Sequence, residues 1–515
     1  MVHRCVRCSG AISSCRDMEL SWLENFLQNK RVVWIAGGVT IFLFLIANLP
    51  WQLDDYDQAK QAFTSFEMIK EGRWFYQQTP HQHVATKPPL VGWISAGVFT
   101  LTQSWDVAWR LPSLLAAIAL SILLFRSAGA AYGSIAGLIA LGAFGLNLLS
   151  PRLATLVRTD MPLAFVIFLI GLLIWQKIQK QEEWKPRDRV YIFVLLTVAM
   201  LIKGPIVYAF LLLGIALFRW RTGRARPPGA PLQRGVSAWC GWWPWVASLA
   251  IFLLWVIGGI LFQPGFFDEV VVREFAARFA ETVHRPQPLY FYLPHLLHKF
   301  APWSVLMIVL AIVDLRSRNW RLRSVFREMS PETFWLLCWS VGGLATMSLI
   351  PSKRVDRIFP VILPLCLLVA AQIGNVFGNE RLRTHVYRWS AVALLLSILV
   401  TGGYTISKII FGYRDHRDAL AVFGREIRHE AEMHHWRYAV VSAKDEALLL
   451  YLRKTHFIDR DRAVAEWNGR NLDALVASTE KAPALMRELG DAALSQLKSN
   501  ERREEQGRAY VLITR

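Results

Sequence analysis

Long apolar runs separated by short polar loops are the dominant pattern along this chain. Each run approaches the roughly 20 residues that an α-helix needs to cross a bilayer. A mainly α-helical protein that crosses the membrane many times is therefore predicted. The eleven predicted spans lie at 31–49, 110–127, 133–149, 154–176, 190–202, 204–218, 242–262, 294–313, 332–350, 355–374 and 388–410.

Two loops between the spans are long and carry amphipathic patterns. In the loop 50–109, apolar residues from Phe63 to Ile69 alternate with charges in a way that predicts a helix lying on the membrane surface. The apolar stretch 88–103 follows Lys87-Pro88-Pro89, and we interpret it as an interfacial helix rather than a twelfth span. The loop 263–293 mixes phenylalanines with charges and has the same interfacial character.

The last hundred residues change from membrane-like to soluble character. Strand-like runs alternate there with helical patterns, which is typical of a small α/β domain. The strand-like runs are 438–442, 474–477 and 509–513, and the helical patterns are 416–434 and 482–498. No catalytic motif stands out, so a structural or partner-binding module is expected. The predicted units are an N-terminal segment (1–30), a membrane domain (31–410) and a soluble domain (411–515).

The formal net charge of +19 lies mostly in short loops. The tail 411–515 has 18 Lys/Arg and 17 Asp/Glu, whereas 177–189, 219–234 and 316–327 each hold five Lys/Arg. Short basic loops remain in the cytoplasm. With eleven spans these loops all fall on one side, so the N-terminus is predicted inside and the tail outside. This distribution argues against nucleic-acid binding.

Cysteine and histidine spacings give weak metal signals. Cys5 and Cys8 have the spacing of half a zinc site, but no partner pair follows. His81 and His83 lack a third ligand nearby and are expected to be solvated. Met18, before an amphipathic lead-in, is an alternative start, and the first apolar run is long enough to remain as a span rather than a cleaved signal.

Polar side chains near the span ends gather on the predicted outer face. Ionisable groups close to the membrane are costly and usually line a functional cavity. Several structural explanations remain open: Lys203 could extend to the interface, Arg152 could anchor a span, and Asp160 could pair with Arg158 or orient another group. The outer-face set is Asp54, Asp55, Asp57, Lys87, Arg152, Arg158, Asp160, Lys203, His284, Arg285, Tyr290, Tyr292, Lys353, Arg354, Asp356 and Arg357.

One carboxylate facing several cations suits attack on a carbon that bears a phosphate. The cations would hold a lipid phosphate and stabilise it as a leaving group, and the carboxylate would activate an acceptor. A transporter of lipid-linked sugars would instead place charges at mid-membrane and often show two similar halves. A silent membrane scaffold is a third possibility, which the pairing of Asp57 with Lys87 disfavours.

The stretch from Asp57 to Leu90 resembles the first outer loop of the protein O-mannosyltransferase and aminoarabinose-transferase superfamily, the GT-C type of membrane glycosyltransferase. The family pattern begins Asp-Glu-Ala-Arg and ends Glu-Lys-Pro-Pro-Leu. This chain has Asp57-Gln58-Ala59-Lys60 and Thr86-Lys87-Pro88-Pro89-Leu90. Further matches, in order, are Arg110-Leu111-Pro112-Ser113, Arg158-Thr159-Asp160, Leu201-Ile202-Lys203-Gly204-Pro205, His284-Arg285-Pro286 with Tyr290 and Tyr292, and Ser352-Lys353-Arg354.

The resemblance implies inverting transfer of a sugar from a polyprenyl-phosphate donor on the periplasmic face of a bacterial inner membrane. The acceptor would be lipid A, another glycan or a protein. Asp57 would be the catalytic acid, acting as base or as orienter of the acceptor. Together with the residue chemistry, this assigns the donor phosphate to Lys87, Arg158, Lys203, Tyr290, Tyr292 and Lys353. Supporting roles fall to Gln58, Asp160, His284 and Arg285.

Two positions depart from the family pattern. Gln58 replaces a glutamate, which removes a charge beside Asp57. Thr86 replaces the glutamate that helps to bind a metal in aminoarabinose transferases. No metal ligand is therefore assigned, and both a divalent metal and transfer of aminoarabinose to lipid A remain open.

Overall fold

A computed structural model describes residues 22–53, 56–81, 83–224, 237–275, 286–375, 380–443, 445–499 and 509–515. The chain is mainly helical up to residue 433. Its helices there are α1 (Trp22–Gln28), α2 (Lys30–Ile46), α3 (Tyr56–Glu71), α4 (Leu90–Thr102), α5 (Trp105–Tyr132), α6 (Ser134–Gly145), α7 (Ser150–Ala154), α8 (Asp160–Lys180), α9 (Pro186–Lys203), α10 (Ile206–Arg224), α11 (Trp243–Phe262), α12 (Tyr292–Lys299), α13 (Trp303–Ser317), α14 (Leu322–Glu328), α15 (Pro331–Leu349), α16 (Phe359–Gly374), α17 (Glu380–Arg414) and α18 (Ala419–Met433).

Every predicted span coincides with a helix or a pair of helices. Within the described residues, five helices are long and apolar enough to cross a membrane, or seven if each of two bent pairs counts as one span. One bent pair turns by 100° between α12 and α13. Several spans are therefore confirmed, whereas the count of eleven stays a prediction because some helices are short.

Small residues allow the membrane helices to approach closely. Gly342 on α15 lies against the backbone of Gly214 on α10 and leaves no room for a Cβ. Gly171 on α8 likewise accepts the ring of Trp339 from α15. Close approach through glycine is a common way to pack helices where lipid supplies no hydrophobic drive. α8, α10 and α15 are thereby fixed as one bundle.

The helix predicted to lie on the membrane surface is instead buried inside the protein. The periodicity was correctly interpreted as a helix, α3, but Phe63, Phe66 and even Glu67 are buried inside the protein. Phe66 packs edge-on against Trp105 of α5, with ring centroids 5.3 Å apart. An amphipathic face suits a protein interface as well as a lipid one, which explains the wrong location.

The C-terminal region forms a four-stranded sheet with helices. Its strands are β1 (Tyr438–Val440), β2 (Ala474–Ser478), β3 (Ala493–Lys498) and β4 (Tyr510–Thr514), in the order β1-β2-β4-β3. β1 and β2 are parallel, whereas β4 is antiparallel to both β2 and β3. Its helices are α19 (Glu446–Tyr451), α20 (Arg460–Asn468) and α21 (Ala482–Met486).

One helix prediction in this region is wrong. The pattern 482–498 contains only the short α21, followed by the strand β3. β3 pairs with β4 at the sheet edge and leaves Leu494 half-exposed. An edge strand that carries apolar and polar residues on both faces lacks the regular alternation of apolar and polar residues that distinguishes a strand from a helix.

The sheet domain and α3 share one hydrophobic core. Phe63 and Phe66 of α3 belong to the same buried cluster as Phe423 of α18 and Leu448 of α19. The Tyr451 hydroxyl accepts a hydrogen bond of 2.8 Å from the Leu53 backbone N–H. The segment that leads into α3 is therefore held by the C-terminal domain.

Candidate active site

Asp57 lies in the first turn of α3 and is surrounded by arginines. Arg354 Nη1 donates a hydrogen bond to its Oδ2 atom. Arg158 Nη2 lies 3.6 Å from the same oxygen. The Asp57 side chain is 29% exposed, so a ligand can still reach it.

Neighbouring polar residues fix the position of Arg158. Its segment joins α7 to α8, and the Ser113 hydroxyl donates to the carbonyls of Leu156 and Arg158 at 3.1 and 3.3 Å. Gln58 Oε1 accepts a 3.3 Å hydrogen bond from the Val157 N–H. Gln58 thus connects α3 to the arginine segment, a role for which its amide is sufficient without a charge.

A second carboxylate extends the charged network. Asp356 accepts a 2.8 Å hydrogen bond from Arg158 Nη1 and lies 3.6 Å from Arg152 Nη1. Arg158 is 6% exposed and Asp356 is 7% exposed, so this ion pair is well shielded from water. Arg158 therefore joins two acids and has a restricted orientation.

Lys87 stands in the loop before α4, half-buried and close enough to affect the charge state of Asp57. Burial lowers the pKa of Lys87 to about 8; Lys203 adds to this effect, while Asp57, Asp160 and Glu274 oppose it. No described residue forms a hydrogen bond or ion pair with its ammonium group. Lys87 is thus a cation available to an anionic ligand.

The same charges keep Asp57 ionised. Burial by itself disfavours its carboxylate, but the charges of Lys87, Arg354 and Arg158 outweigh burial and lower the pKa of Asp57 to about 2. Asp57 is therefore an anion at every physiological pH.

Asp160 and Lys203 form a buried pair next to this cluster. Lys203 Nζ donates to Asp160 Oδ1 at 2.6 Å, across the start of α8 and the end of α9. Lys203 therefore does not extend to a lipid interface, and Asp160 pairs with it rather than with Arg158. Both side chains influence the pKa of Lys87, which places them in the same site.

Lys353, in the loop between α15 and α16, and Tyr292, at the start of α12, are two further candidate groups. Lys353 is buried and donates a 2.9 Å hydrogen bond to the Gln287 carbonyl. Tyr292 is fully buried and lies against the backbone of Arg354. Tyr290 is 66% exposed, which makes it a weaker candidate for a site residue than Tyr292.

The other predicted residues either lie outside the described part of the chain or have different neighbours. His284 and Arg285 lie outside the described residues, as do Asp54, Asp55, Cys5 and Cys8. His83 lies 3.6 Å from Glu269, and His81 stacks on Phe457. Across the described ranges, no group of three or more His, Cys, Asp or Glu side chains could hold a metal ion.

Arg354 and Asp356 belong to the charged cluster around Asp57, although neither was assigned to the site from the sequence. Both were recognised there only as outer-face charges. The available signal was the density of charge in Lys353-Arg354-Val355-Asp356-Arg357 between two apolar helices. Their contacts with Asp57 and Arg158 join positions hundreds of residues apart and depend on the fold.

Comparison with known proteins identifies the class of this fold. Residues 86–238 match the family described as dolichyl-phosphate-mannose-protein mannosyltransferase. The crystal structure of ArnT from Cupriavidus metallidurans bound to undecaprenyl phosphate superposes with a TM-score of 0.64 at 18% identity, covering 93% of this chain and 97% of that one. The chain therefore has the fold of this ArnT structure, and its residues 86–238 are similar to the mannosyltransferase family.

Curated relatives are more specific in name but are matched only in part. An undecaprenyl phosphate-alpha-4-amino-4-deoxy-L-arabinose arabinosyl transferase of Sodalis glossinidius is 32% identical over 31% of this chain and 27% of its own length. The corresponding protein of Shewanella sediminis is 23% identical over 68% of this chain and 62% of its own length. The matches thus span less than two thirds of either relative.

Proposed function

We propose that this protein is a glycosyltransferase that uses a polyprenyl-phosphate sugar as donor. The observation that carries the proposal is Lys87, a cation with no hydrogen bond or ion pair among the described residues, beside an ionised Asp57 that two arginines also contact. A phosphate needs such cations, and a sugar-transfer site needs a carboxylate beside them. Relatives whose names specify undecaprenyl phosphate support this choice of donor.

In the proposed reaction, an acceptor hydroxyl or amine attacks the anomeric carbon from the face opposite the phosphate. The new bond to carbon forms as the bond between that carbon and the phosphate oxygen breaks. The polyprenyl phosphate departs as the leaving group while it is bound by Lys87 and Arg354. The pocket around it is formed by Arg158, Lys203, Lys353 and Tyr292. Inversion at the anomeric carbon follows from this single displacement.

Asp57 orients the acceptor and receives its proton in this scheme. Its low pKa belongs to the site without donor. A bound phosphate draws Lys87 and Arg354 toward itself, so the basicity of Asp57 rises when the donor arrives. His284, Arg285 and Tyr290 remain proposed contributors from the loop before α12, and Gln58 and Asp160 act as supports.

The setting proposed for the reaction is the periplasmic face of a bacterial inner membrane. The N-terminal segment 1–30 is cytoplasmic, 31–410 form the membrane domain, and 411–515 form a periplasmic soluble domain. Basic short loops at the opposite ends of the helices support this orientation. The acceptor is lipid A, another glycan or a protein, and the sugar is a hexose or a pentose.

Binding of undecaprenyl phosphate to the purified protein tests the donor assignment. Lys87→Ala should weaken binding roughly 10- to 100-fold, because a charge-assisted contact is lost. Lys70→Ala, which removes an exposed lysine at the end of α3, serves as the matched control and should bind normally. Equal affinities of the wild-type and Lys87→Ala proteins would contradict the phosphate role of Lys87.

A further inference from the structure

A cavity lined by both arginines and apolar residues lies at the other end of the membrane helices. Its volume is about 420 Å³, and it is lined by Arg221, Leu322, Arg323, Phe326 and Arg327. Arg221 belongs to α10, which starts at Ile206 just after Lys203. Fifteen helical residues span about 22 Å. The cavity is therefore distant from Asp57 and separate from the site described above.

The direction of α15 leads to the same conclusion. This helix ends at Leu349, close to Lys353 and Arg354, so Pro331 at its start lies at the opposite end of the bundle. Phe334, in its first turn, has its ring centroid 4.0 Å from the Arg221 guanidinium. Arg221 also donates from Nη2 to the Phe326 carbonyl. The cavity thus lies between α10 and α14, beside the start of α15.

The charge of this cavity is strongly unbalanced. Three of its five lining residues are arginines, and none is an acid. The nearby acids Asp314 and Glu328 both pair with Arg318 instead. Arg221 Nη1 is buried and has no hydrogen-bond partner among the described residues. A buried donor of this kind requires an acceptor, and an anion would supply it.

The apolar part of the lining indicates what kind of anion fits. Leu322 and Phe326 are 59% and 42% exposed, and Trp220 and Trp320 nearby in sequence are 60% and 61% exposed. Exposed tryptophans close to basic residues in sequence are typical of segments at the level of lipid headgroups. Basic pockets between membrane helices bind phosphate-bearing headgroups.

We propose that this cavity binds the phosphate headgroup of an anionic phospholipid in the leaflet opposite the Asp57 site. Arg221 supplies a fixed donor, and Arg323 and Arg327 close around the phosphate from α14. Leu322 and Phe326 contact the upper part of the acyl chains. The bound lipid links α14 to α10 and α15 and so stabilises this end of the bundle.

Lipid titration of the purified full-length protein in detergent tests the proposal, with phosphatidylglycerol as the probe. The double variant Arg323→Gln/Arg327→Gln should bind phosphatidylglycerol at least roughly tenfold more weakly than wild type, since each arginine near a headgroup contributes substantially. Arg316→Gln/Arg321→Gln removes the same charge from exposed positions outside the cavity lining and should change affinity less than about twofold.

Two further ligands separate the possible sources of the anion. Phosphatidylcholine should bind poorly to the wild-type protein, and inorganic phosphate should not compete at concentrations near those of the lipid. Equal losses in both double variants, or no loss in either, would overturn the proposal. Effective competition by inorganic phosphate would show a soluble anion site and would also overturn it.

Discussion

Lys87 and Asp57 carry opposite charges, and their ionisation sets the pH range in which the site can work. Asp57 has a pKa of about 2 and Lys87 a pKa of about 8. The carboxylate is thus present throughout the physiological range, whereas the ammonium is lost as the pH rises through about 8. The alkaline limit of donor binding should therefore belong to Lys87.

Binding of undecaprenyl phosphate should weaken above about pH 8, approaching tenfold per pH unit, because the neutral amine no longer attracts the phosphate. Lys87→Arg keeps a positive charge at all these pH values. Its affinity should depend much less on pH between 7 and 10, even if it is lower at pH 7. An identical alkaline decline in wild type and Lys87→Arg would assign that decline to another group.

The sequence was sufficient to select Asp57 and Lys87 but not their partners. Both residues belong to a motif of fixed local spacing, which a single amino-acid sequence is enough to show. The contact of Arg354 with Asp57 joins two loops that only the packed bundle brings together. The role of Gln58 could not be predicted from the motif either. Its side chain accepts a hydrogen bond from Val157, and only the folded structure shows this contact.

At the scale of elements, the spacing of apolar residues predicted which segments are helical more reliably than it predicted what each segment packs against. α3 was predicted as a helix on the membrane, yet it lies between the bundle and the C-terminal domain. β3 was predicted as part of a helix because an edge strand carries a weak pattern. For α3 the deciding partner, α19, comes from a part of the chain far away in sequence, whereas for β3 it is β4, the next strand.

A buried glutamate whose ionisation destabilises the folded protein, Glu446, lies in the contact between α19 and α3. Glu446 is 3% exposed, its Oε2 atom has no hydrogen-bond partner among the described residues, and burial raises its pKa from 4.5 to about 7 despite the opposing charge of Lys60. The folded protein therefore holds this proton more tightly than the unfolded chain. Stability should decrease as the pH rises from about 4.5 to about 7 and remain lower above that range.

Glu446→Gln removes this ionisation and should stabilise the protein by up to about 3 kcal/mol at pH 8, with little gain at pH 4.5. Thermal unfolding of the purified variants at the two pH values measures the effect. Glu426→Gln, an exposed position on α18, is the matched control and should show no pH-dependent gain. A gain of equal size at both pH values would mean that the charge of Glu446 is not its cause.

At the scale of the whole molecule, the distribution of charge separates the two ends of the bundle. The acid and base groups of the Asp57 site gather where α8 begins and α9 and α15 end. An excess of basic residues, in 177–189, 219–234 and 316–327, occupies the other end. This polarity, readable from the sequence once the spans were assigned, agrees with the proposal of a single active face on the fold that the chain shares with ArnT.

Labelling of cysteines in intact cells tests the proposed orientation. In a version with Cys5, Cys8 and Cys15 changed to Ser, the remaining Cys240, Cys338 and Cys366 are buried. A membrane-impermeant maleimide that has entered the periplasm should label Glu480→Cys but not Glu183→Cys until the cells are lysed. Both positions are exposed, so accessibility of the residue itself does not limit the reaction. The opposite pattern would reverse the orientation.

The central claim is that Asp57 transfers a sugar from a polyprenyl phosphate, and mass spectrometry of cells tests it most directly. Lipid-linked sugars and envelope glycans are compared in cells that express wild type, Asp57→Asn or the exposed control Asp461→Asn to equal levels. The account predicts that Asp57→Asn alone loses one sugar from one glycan while the matching polyprenyl-phosphate sugar accumulates. Unchanged pools in Asp57→Asn cells, with the protein folded in the membrane, would contradict the claim.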